Sequence, residues 1–500
     1  MRELNRRNFM KGLAIGAIGT ALAACAPKVV EVTREVEKVV EKEKIVEQTV
    51  VVEKEKAVEV TKVVKETVVV EAKPAPVEKV PIKVLDAWGP GPWTLELYSA
   101  WATGLAENVP GAAVEFIPTL TGEVSTQKTA ALLAAGTPPD ATLGSDIRFA
   151  FEGVILDLKP LFDLDTEVQS WEWNPPSWDF VNIVDRTGGE IIWAFPGNSD
   201  ARILYVNMDM CKEAGVTFDP KNMWDWTEFN EACVKLTKRA NDGTPQQLGF
   251  NGFGTWYGDL FVWANYNGAD FWEIDPTTDW VRKSTIDSPE CIEAIEFWYK
   301  MLVEDKVGPL VGEQTIEGMN FLSGKIAIQP SWSSFFSSLN KAQKDGTLNF
   351  EYELMGYPVR TKGDKWPNQF ANGSQMGSVL KATKYPEQAF QVLKYVAGPK
   401  GHLIRQRAMG APPSILNAEE LWDEWLTPPP QNTYLYREVM SQGKIGTWSK
   451  IKYDADKISK VYSNELDNLK AGNTTPEEFA KTVAEQHNQI IEEAFQREEG

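Results

Sequence analysis

Two histidines and four cysteines are all that this 500-residue chain offers to a transition metal. It contains no His-Glu-x-x-His and no Cys-x-x-Cys, so no zinc motif is present. Gly197-Asn198-Ser199-Asp200-Ala201 lacks the last glycine of a nucleophile elbow, and Gly252-Phe253-Gly254 lacks the third glycine of a dinucleotide loop. The sequence therefore gives no support to metal-assisted hydrolysis, serine-type acyl transfer or a nicotinamide cofactor, and no cofactor is expected. Basic residues are also scarce. Lys and Arg number 51 against 71 Asp and Glu, for a net charge of −20. Such a surface repels nucleic acid and anionic headgroups. After the first two dozen residues no apolar run is long enough to span a bilayer.

What is present begins at the N-terminus. Asn5-Arg6-Arg7-Asn8-Phe9-Met10-Lys11 precedes an apolar run from Gly12 to Ala24, which is too short for a permanent membrane helix. The paired arginines resemble a twin-arginine export signal. Leu22-Ala23-Ala24-Cys25 resembles a lipobox, in which small residues admit the peptidase and Cys25 takes the lipid. A multiply acylated cysteine would hold the mature chain on the outer face of the cell membrane. Removing this leader takes the net charge to about −23, because the leader is basic.

Residues 25–80 read as a spacer. Val, Glu and Lys dominate from Lys28 to Val80, and glycine and aromatic residues are missing there. Val29, Val32, Val36, Val39, Val46, Val50, Ala57, Val60 and Val64 lie on a stripe that steps alternately by three and four. That periodicity predicts helical character and permits self-association through a coiled coil. An extended, solvated spacer is the alternative, since valine is only a fair helix former and Glu43 and Glu53 interrupt the stripe. Pro74, Pro76 and Pro81 end the segment. A helix of about 45 residues would reach about 65–70 Å.

From Val80 onward, strand-like and helix-like segments alternate, which predicts an α/β fold with mainly parallel sheets. Strands are expected at 80–87, 112–117, 140–144, 191–196 and 203–207. Helices are expected at 94–107, 123–135, 208–214, 226–239 and through most of 454–497. Gly215 sits at a C-cap position, and Pro476 at a helix start. Asp225 or Thr227 is placed to cap the helix after Trp224. Asp140, after Pro138-Pro139, reads as a turn carboxylate, and Gly324 as a residue needing positive φ. Cys211 and Cys233 lie on consecutive predicted helices, as a disulfide or as buried thiols.

Several pieces, in order, carry a family resemblance. They are Leu132-Leu133-Ala134-Ala135-Gly136-Thr137-Pro138-Pro139-Asp140, Gly153-Val154-Ile155-Leu156-Asp157-Leu158 and Ile192-Trp193-Ala194-Phe195-Pro196 with Asn207. Trp224-Asp225-Trp226-Thr227-Glu228-Phe229, Phe321-Leu322-Ser323-Gly324-Lys325-Ile326-Ala327-Ile328 and Ala411-Pro412-Pro413 follow. Together they resemble the extracellular solute-binding proteins of carbohydrate ABC transporters, the group that includes maltose-binding protein. The resemblance covers about 85–497. It implies a type II periplasmic-binding-protein fold: two α/β lobes joined by crossing hinge strands, with the ligand in the cleft between them. It also implies a role in import, with the bound solute passed to permease subunits. The expected boundaries are 1–24 for the signal peptide and 25–80 for the lipidated cysteine and stalk. Lobe 1 is expected at 81–199 plus about 360–430, and lobe 2 at about 200–359 plus 431–500.

A sugar presents apolar faces and a hydroxyl rim, so its site needs flat rings and surrounding polar groups. The chain has 19 tryptophans. Asp86 and Trp88 follow the first strand, and Ser145, Asp146 and Arg148 follow the third, at the edge where open α/β sheets bind ligands. The resemblance implies sugar contacts from an Asp and an Arg in this second loop, although here Ile147 separates the two. It implies an acidic ligand residue at Asp200 and an aromatic group from the loop holding Trp256, Tyr257 and Asp259. It further implies stacking rings at Trp332 and Trp448. A polyamine, held by Asp86, Asp146 and Asp200, is the alternative ligand, since unpaired carboxylates in a dry cleft require a cation. A secreted glycoside hydrolase or lyase with paired carboxylates is the remaining rival.

Overall fold

The computed structural model describes residues 79–500, apart from short segments at 90, 121–124, 185–187, 199, 220–223, 255–257, 314–315, 364–369, 373, 452–453 and 500. The leader, Cys25 and the stalk up to residue 78 lie outside the described residues, and Val80 opens the first strand.

The first lobe is built on a five-stranded sheet. Val80–Leu85 lies between Ala112–Ile117 and Ala141–Thr142, parallel to both, with Val80 opposite Ala112 and Leu85 opposite Thr142. Gln375–Val379 and Phe195–Pro196 complete the sheet in antiparallel pairing. Ile82 and Val84 point into a core with Leu97 and Trp101 of helix Pro92–Asn108, and with Phe390 and Leu393 of helix Pro386–Ala397. Alternate strand residues face the same side of a sheet, so this spacing buries one face under these two helices.

The second lobe centres on Asp200–Asn207, which is covered on both faces. Leu204 and Val206 enter one core with Phe229, Phe250, Ile328 and the C-terminal helices. Ile203 and Tyr205 enter another with Leu248, Leu354, Trp422 and Tyr436. Ile326–Trp332, Tyr352–Met355 and Phe370–Asn372 all pair antiparallel with this strand. The expectation of mainly parallel sheets thus holds for the first three strands of lobe 1 and fails for lobe 2. The hinge accounts for one of these pairings: the chain that enters lobe 2 along Asp200–Asn207 returns beside it as Phe370–Asn372.

That hinge is a two-strand ribbon. Pro196 pairs with Gln375 on the lobe 1 side, and Asp200 pairs with Asn372 on the lobe 2 side. Between them the Gly197 amide donates to the Ser374 carbonyl (2.7 Å), and the Ser374 hydroxyl to the Asn198 carbonyl (2.6 Å). The return crossing falls at 372–375, later than the expected boundary near 360. Trp422 and Trp425, placed in lobe 1 by the sequence, pack in the Tyr205 core of lobe 2.

The local sequence signals have direct counterparts in the structure. Asp225 caps Trp226–Leu236: its carboxylate accepts from the Glu228 amide (2.8 Å), and Glu228 accepts in return from the Asp225 amide (3.0 Å). This reciprocal box satisfies two otherwise orphaned donors. Asp140 accepts from the Lys83 amide (2.8 Å) and the Thr383 hydroxyl (2.6 Å), as a turn carboxylate does. Gly324 has φ +66°, where a side chain would be strained. Cys211, Cys233 and Cys291 are buried free thiols. Burial pushes Cys211 and Cys291 up to about 12.

Candidate functional site

Asp86 and Trp88 on lobe 1, and Asp200 and Trp332 on lobe 2, lie at strand ends on the side of each lobe that meets the hinge. On lobe 1, Asp86 follows the first strand and is 1% exposed. Its carboxylate accepts from the amides of Trp88 (2.7 Å) and Gly89 (2.8 Å). It accepts also from the Thr119 hydroxyl (3.1 Å), more distantly from the Thr119 amide, and from the Tyr98 hydroxyl. Asp86 therefore builds the turn that presents Trp88, and its own oxygens are engaged within the lobe. Trp88 is half-buried among Trp93, Tyr98 and Trp101, with ring centroids 6.0–6.5 Å away. Gly89 has φ +73° in the same turn.

Ser145 and Asp146 lead into the short helix Ile147–Phe151. Asp146 caps it, accepting from the Arg148 amide (2.9 Å), and forms a two-pronged ion pair with the Arg148 guanidinium (3.0 and 2.6 Å). With one residue between them, Asp146 caps the helix and holds Arg148 at once. Arg148 is more than half exposed. The hydrogen bond to Asp146 raises the Arg148 pKa above the ordinary arginine value, against the opposing effect of burial.

On lobe 2 the pairing of Asp200–Asn207 with Ile326–Trp332 sets Arg202 opposite Trp332. The guanidinium lies 5.4 Å from the indole centroid, within cation–π range. Arg202 also forms an ion pair with Asp259, at the start of helix Gly258–Tyr266. Burial works against the Arg202 charge, but Asp259 and Tyr357 outweigh it and keep the guanidinium protonated. Tyr357 is buried, which pushes its phenol up to about 12. Lys470 is nearly buried and donates to the Gly254 carbonyl (2.7 Å), fixing one end of the loop that carries Trp256 and Tyr257. Those two residues lie outside the described set. Trp448 lies on the 3-10 turn Thr447–Lys450, and its side chain is likewise outside the description.

Asp200 stands at the hinge itself. Its Oδ1 accepts from the Ser333 hydroxyl and the Ser334 amide (3.1 Å), just before helix Phe335–Lys344. Desolvation raises its pKa to about 6, against the opposing effect of these hydrogen bonds.

The lobes also touch directly. Trp280, from the hairpin of Trp272–Asp275 and Trp280–Ser284, packs into a lobe 1 cluster with Ala150, Ile183 and Trp193. Its ring centroid is 3.8 Å from that of Phe151. The sequence reading did not single out Arg202, Tyr357, Lys470 or Trp280. Arg202 had a visible signal: it lies two residues from Asp200 on a strand and so shares its face. The others are brought in from distant sequence and had none.

The histidines take no part in these groups. His402 Nε2 lies 3.0 Å from the Pro412 carbonyl, and His487 Nε2 lies 3.0 Å from the Ile458 carbonyl. Both are buried, and desolvation lowers both pKa values, that of His487 to about 4. Among the described residues no cluster of His, Cys, Asp or Glu has the makings of a metal site. No described helix is long and apolar enough to cross a membrane.

Two α/β lobes on a two-strand hinge, with aromatic and polar side chains collected at the edges beside it, define a hinged binding protein. The chain belongs to the bacterial extracellular solute-binding protein family, whose sequence profile matches residues 91–402. This is a family of extracytoplasmic binding proteins rather than enzymes. Solved structures agree on the type II binding-protein fold. A substrate-binding protein of Listeria monocytogenes, in complex with cycloalternan, superposes with TM-score 0.63 at 19% identity, over 83% of this chain and 99% of that one. The acarbose-binding GacH receptor of Streptomyces glaucescens gives 0.62 at 16%, over 82% and 98%. The maltose/maltodextrin-binding domain of Bdellovibrio bacteriovorus, with maltotriose, gives 0.60 at 18%, over 83% and 100%. No curated protein sequence matches the chain.

Proposed function

We propose that this protein is the substrate-binding component of an ABC importer and that it captures an oligosaccharide between its lobes for delivery to the permease. The observation that carries this reading is the group at the hinge edge of lobe 2. A half-buried Trp332 ring is set by Arg202 and Asp259, with Asp200 beside it, held by Ser333 and Ser334. Trp88 supplies the opposing ring from lobe 1. Ser145, Asp146 and Arg148 furnish polar groups on that side, and Trp256, Tyr257 and Trp448 furnish further rings. Asp86 acts through Trp88, by fixing its turn. Structures of the same fold with bound cycloalternan, acarbose and maltotriose support the choice of an oligosaccharide.

The polyamine alternative needs spare negative charge, and little is available. Asp86 is consumed by its own turn, Asp146 by Arg148 and Asp259 by Arg202. A neutral, hydroxyl-rich ligand fits a site whose charges are already paired. The same pairing leaves, among Asp86, Asp146 and Asp259, no carboxylate free for glycosidase chemistry. At the N-terminus, Cys25 carries the lipid after twin-arginine export, and residues 25–80 serve as the spacer between membrane and lobes, with self-association through their apolar stripe.

Calorimetric titration with a panel of neutral oligosaccharides and with spermidine tests the ligand class, and mass spectrometry of co-purifying ligand identifies it. Binding of an oligosaccharide with unit stoichiometry and no new reducing ends supports the proposal. Tight spermidine binding with no sugar response, or sustained sugar turnover, overturns it.

A further inference from the structure

A second aromatic site lies on lobe 1, on elements that carry none of the cleft residues. It is an open groove of ≈ 360 Å³, within the range of small-molecule sites. Trp171, Trp173 and Trp178 form its apolar side, each half-buried. Trp171 and Trp173 meet edge to face at 85°, with centroids 5.5 Å apart, and so make a corner of two indole planes.

This corner is held rigidly. Trp173 bridges to Ile415, the Asn174 amide donates to the Ser414 carbonyl (2.9 Å), and the Leu416 amide donates to the Glu172 carbonyl (2.6 Å). The Trp171 ring lies over Gly398, where a Cβ would come within 2.7 Å of it. Rings fixed in this way lose little freedom when a ligand stacks on them.

The polar rim is rich in acceptors. Gln169 spends its amide nitrogen on the carbonyls of Phe162 (3.3 Å) and Asp163 (2.5 Å), which turns its oxygen into the available group. Glu190 takes one hydrogen bond from Asn182 (2.9 Å) and is otherwise exposed. Lys159 is paired with Asp163 (3.2 Å), so among the described residues the rim offers no free cation to an anionic ligand. Flat rings with carboxylate and amide acceptors at their margin suit a neutral molecule that has apolar C–H faces and donates many hydroxyls. Acidic groups at the rim disfavour an anionic membrane surface or a nucleic acid.

We propose that the groove of Trp171, Trp173 and Trp178 is an accessory carbohydrate site that binds a short segment of a neutral polysaccharide. Occupied, it holds polymer beside the protein independently of the cleft, so the proposal stands whatever the cleft ligand is. It raises the local concentration of polymer-derived fragments through proximity alone.

Affinity electrophoresis tests this with the full-length chain, in native gels containing amylopectin, dextran, xylan, glucomannan or hydroxyethyl cellulose. The wild type is expected to be retarded by at least one polymer, and the cleft variant Trp332→Ala equally so. Trp171→Ala combined with Trp173→Ala is expected to need at least about tenfold more polymer for the same retardation. Glu190→Ala, an exposed change outside the core, serves should that double variant fail to fold. It is expected to weaken retardation with an unchanged melting temperature. Absence of retardation in all five gels overturns the proposal. So does retardation that is lost in Trp332→Ala, or that survives unchanged in a folded double variant or in Glu190→Ala.

Discussion

Replacing Trp332 with Ala separates a ligand-stacking ring from a core ring, because the two roles predict opposite balances of effect. The indole is half-buried at the end of its strand, and Arg202 lies 5.4 Å from its centroid. Truncation leaves the backbone arrangement intact: the Tyr205 hydroxyl still donates to the carbonyl of residue 332 (3.0 Å). The ligand-free protein loses a cation–π contact of about 0.5–2 kcal/mol and part of a burial term that is about 1.5–3 kcal/mol for a fully buried large side chain. A stability cost of about 1–3 kcal/mol follows, or a few degrees in melting temperature for a chain of this size. Loss of a ring stacked on ligand in a desolvated cleft costs about 2 kcal/mol or more of binding, roughly thirtyfold in Kd. Trp332→Phe keeps a smaller ring and should recover much of the affinity. Calorimetric titration and scanning calorimetry on the same preparations read both quantities. A core role predicts a fall of about 3–5 kcal/mol in stability with unchanged affinity per folded molecule, and that result would refute the stacking argument.

Three further outcomes follow from the paired charges and the N-terminus. Asp259→Ala leaves the Arg202 guanidinium buried without its carboxylate, so stability in chemical denaturation should drop by about 3–5 kcal/mol; joint replacement of the pair by apolar residues should restore much of it. The folded-state pKa of Asp200, about 6, lies above the ordinary 3.8, so the folded state binds more protons between those values and this group's contribution to stability is lost as pH rises toward 6. Melting curves from pH 4 to 7.5 should therefore show a component favouring acid that disappears in Asp200→Asn; an unchanged pH profile in that variant would count against the assignment. Cys25→Ala should release the exported protein from the membrane fraction, and continued membrane partitioning like the parent's would remove the lipid anchor from the proposal.

Much of the architecture was legible because it is written in local signals. Asp225 and Glu228 announce a capped helix start within four residues, and Gly324 marks a turn that the structure finds at positive φ. The alternation of strands and helices was visible for the same reason. Strand direction in lobe 2 was not, because Asp200–Asn207 owes its antiparallel neighbours to segments more than a hundred residues later. The site divides in the same way. Trp332 and Asp200 could be placed from the strands that carry them, whereas the state of each carboxylate could not. In sequence Asp86, Asp146, Asp200 and Asp259 look alike, four acids at expected loop positions. Folded, Asp86 is occupied by Trp88, Gly89, Tyr98 and Thr119, Asp146 by the arginine two residues on, and Asp259 by an arginine 57 residues away. Asp200 accepts from the Ser333 hydroxyl and the Ser334 amide. Ligand charge is decided by these partners rather than by the number of acids, which is why the structure moves the reading away from a polycation and toward a neutral, hydroxylated solute.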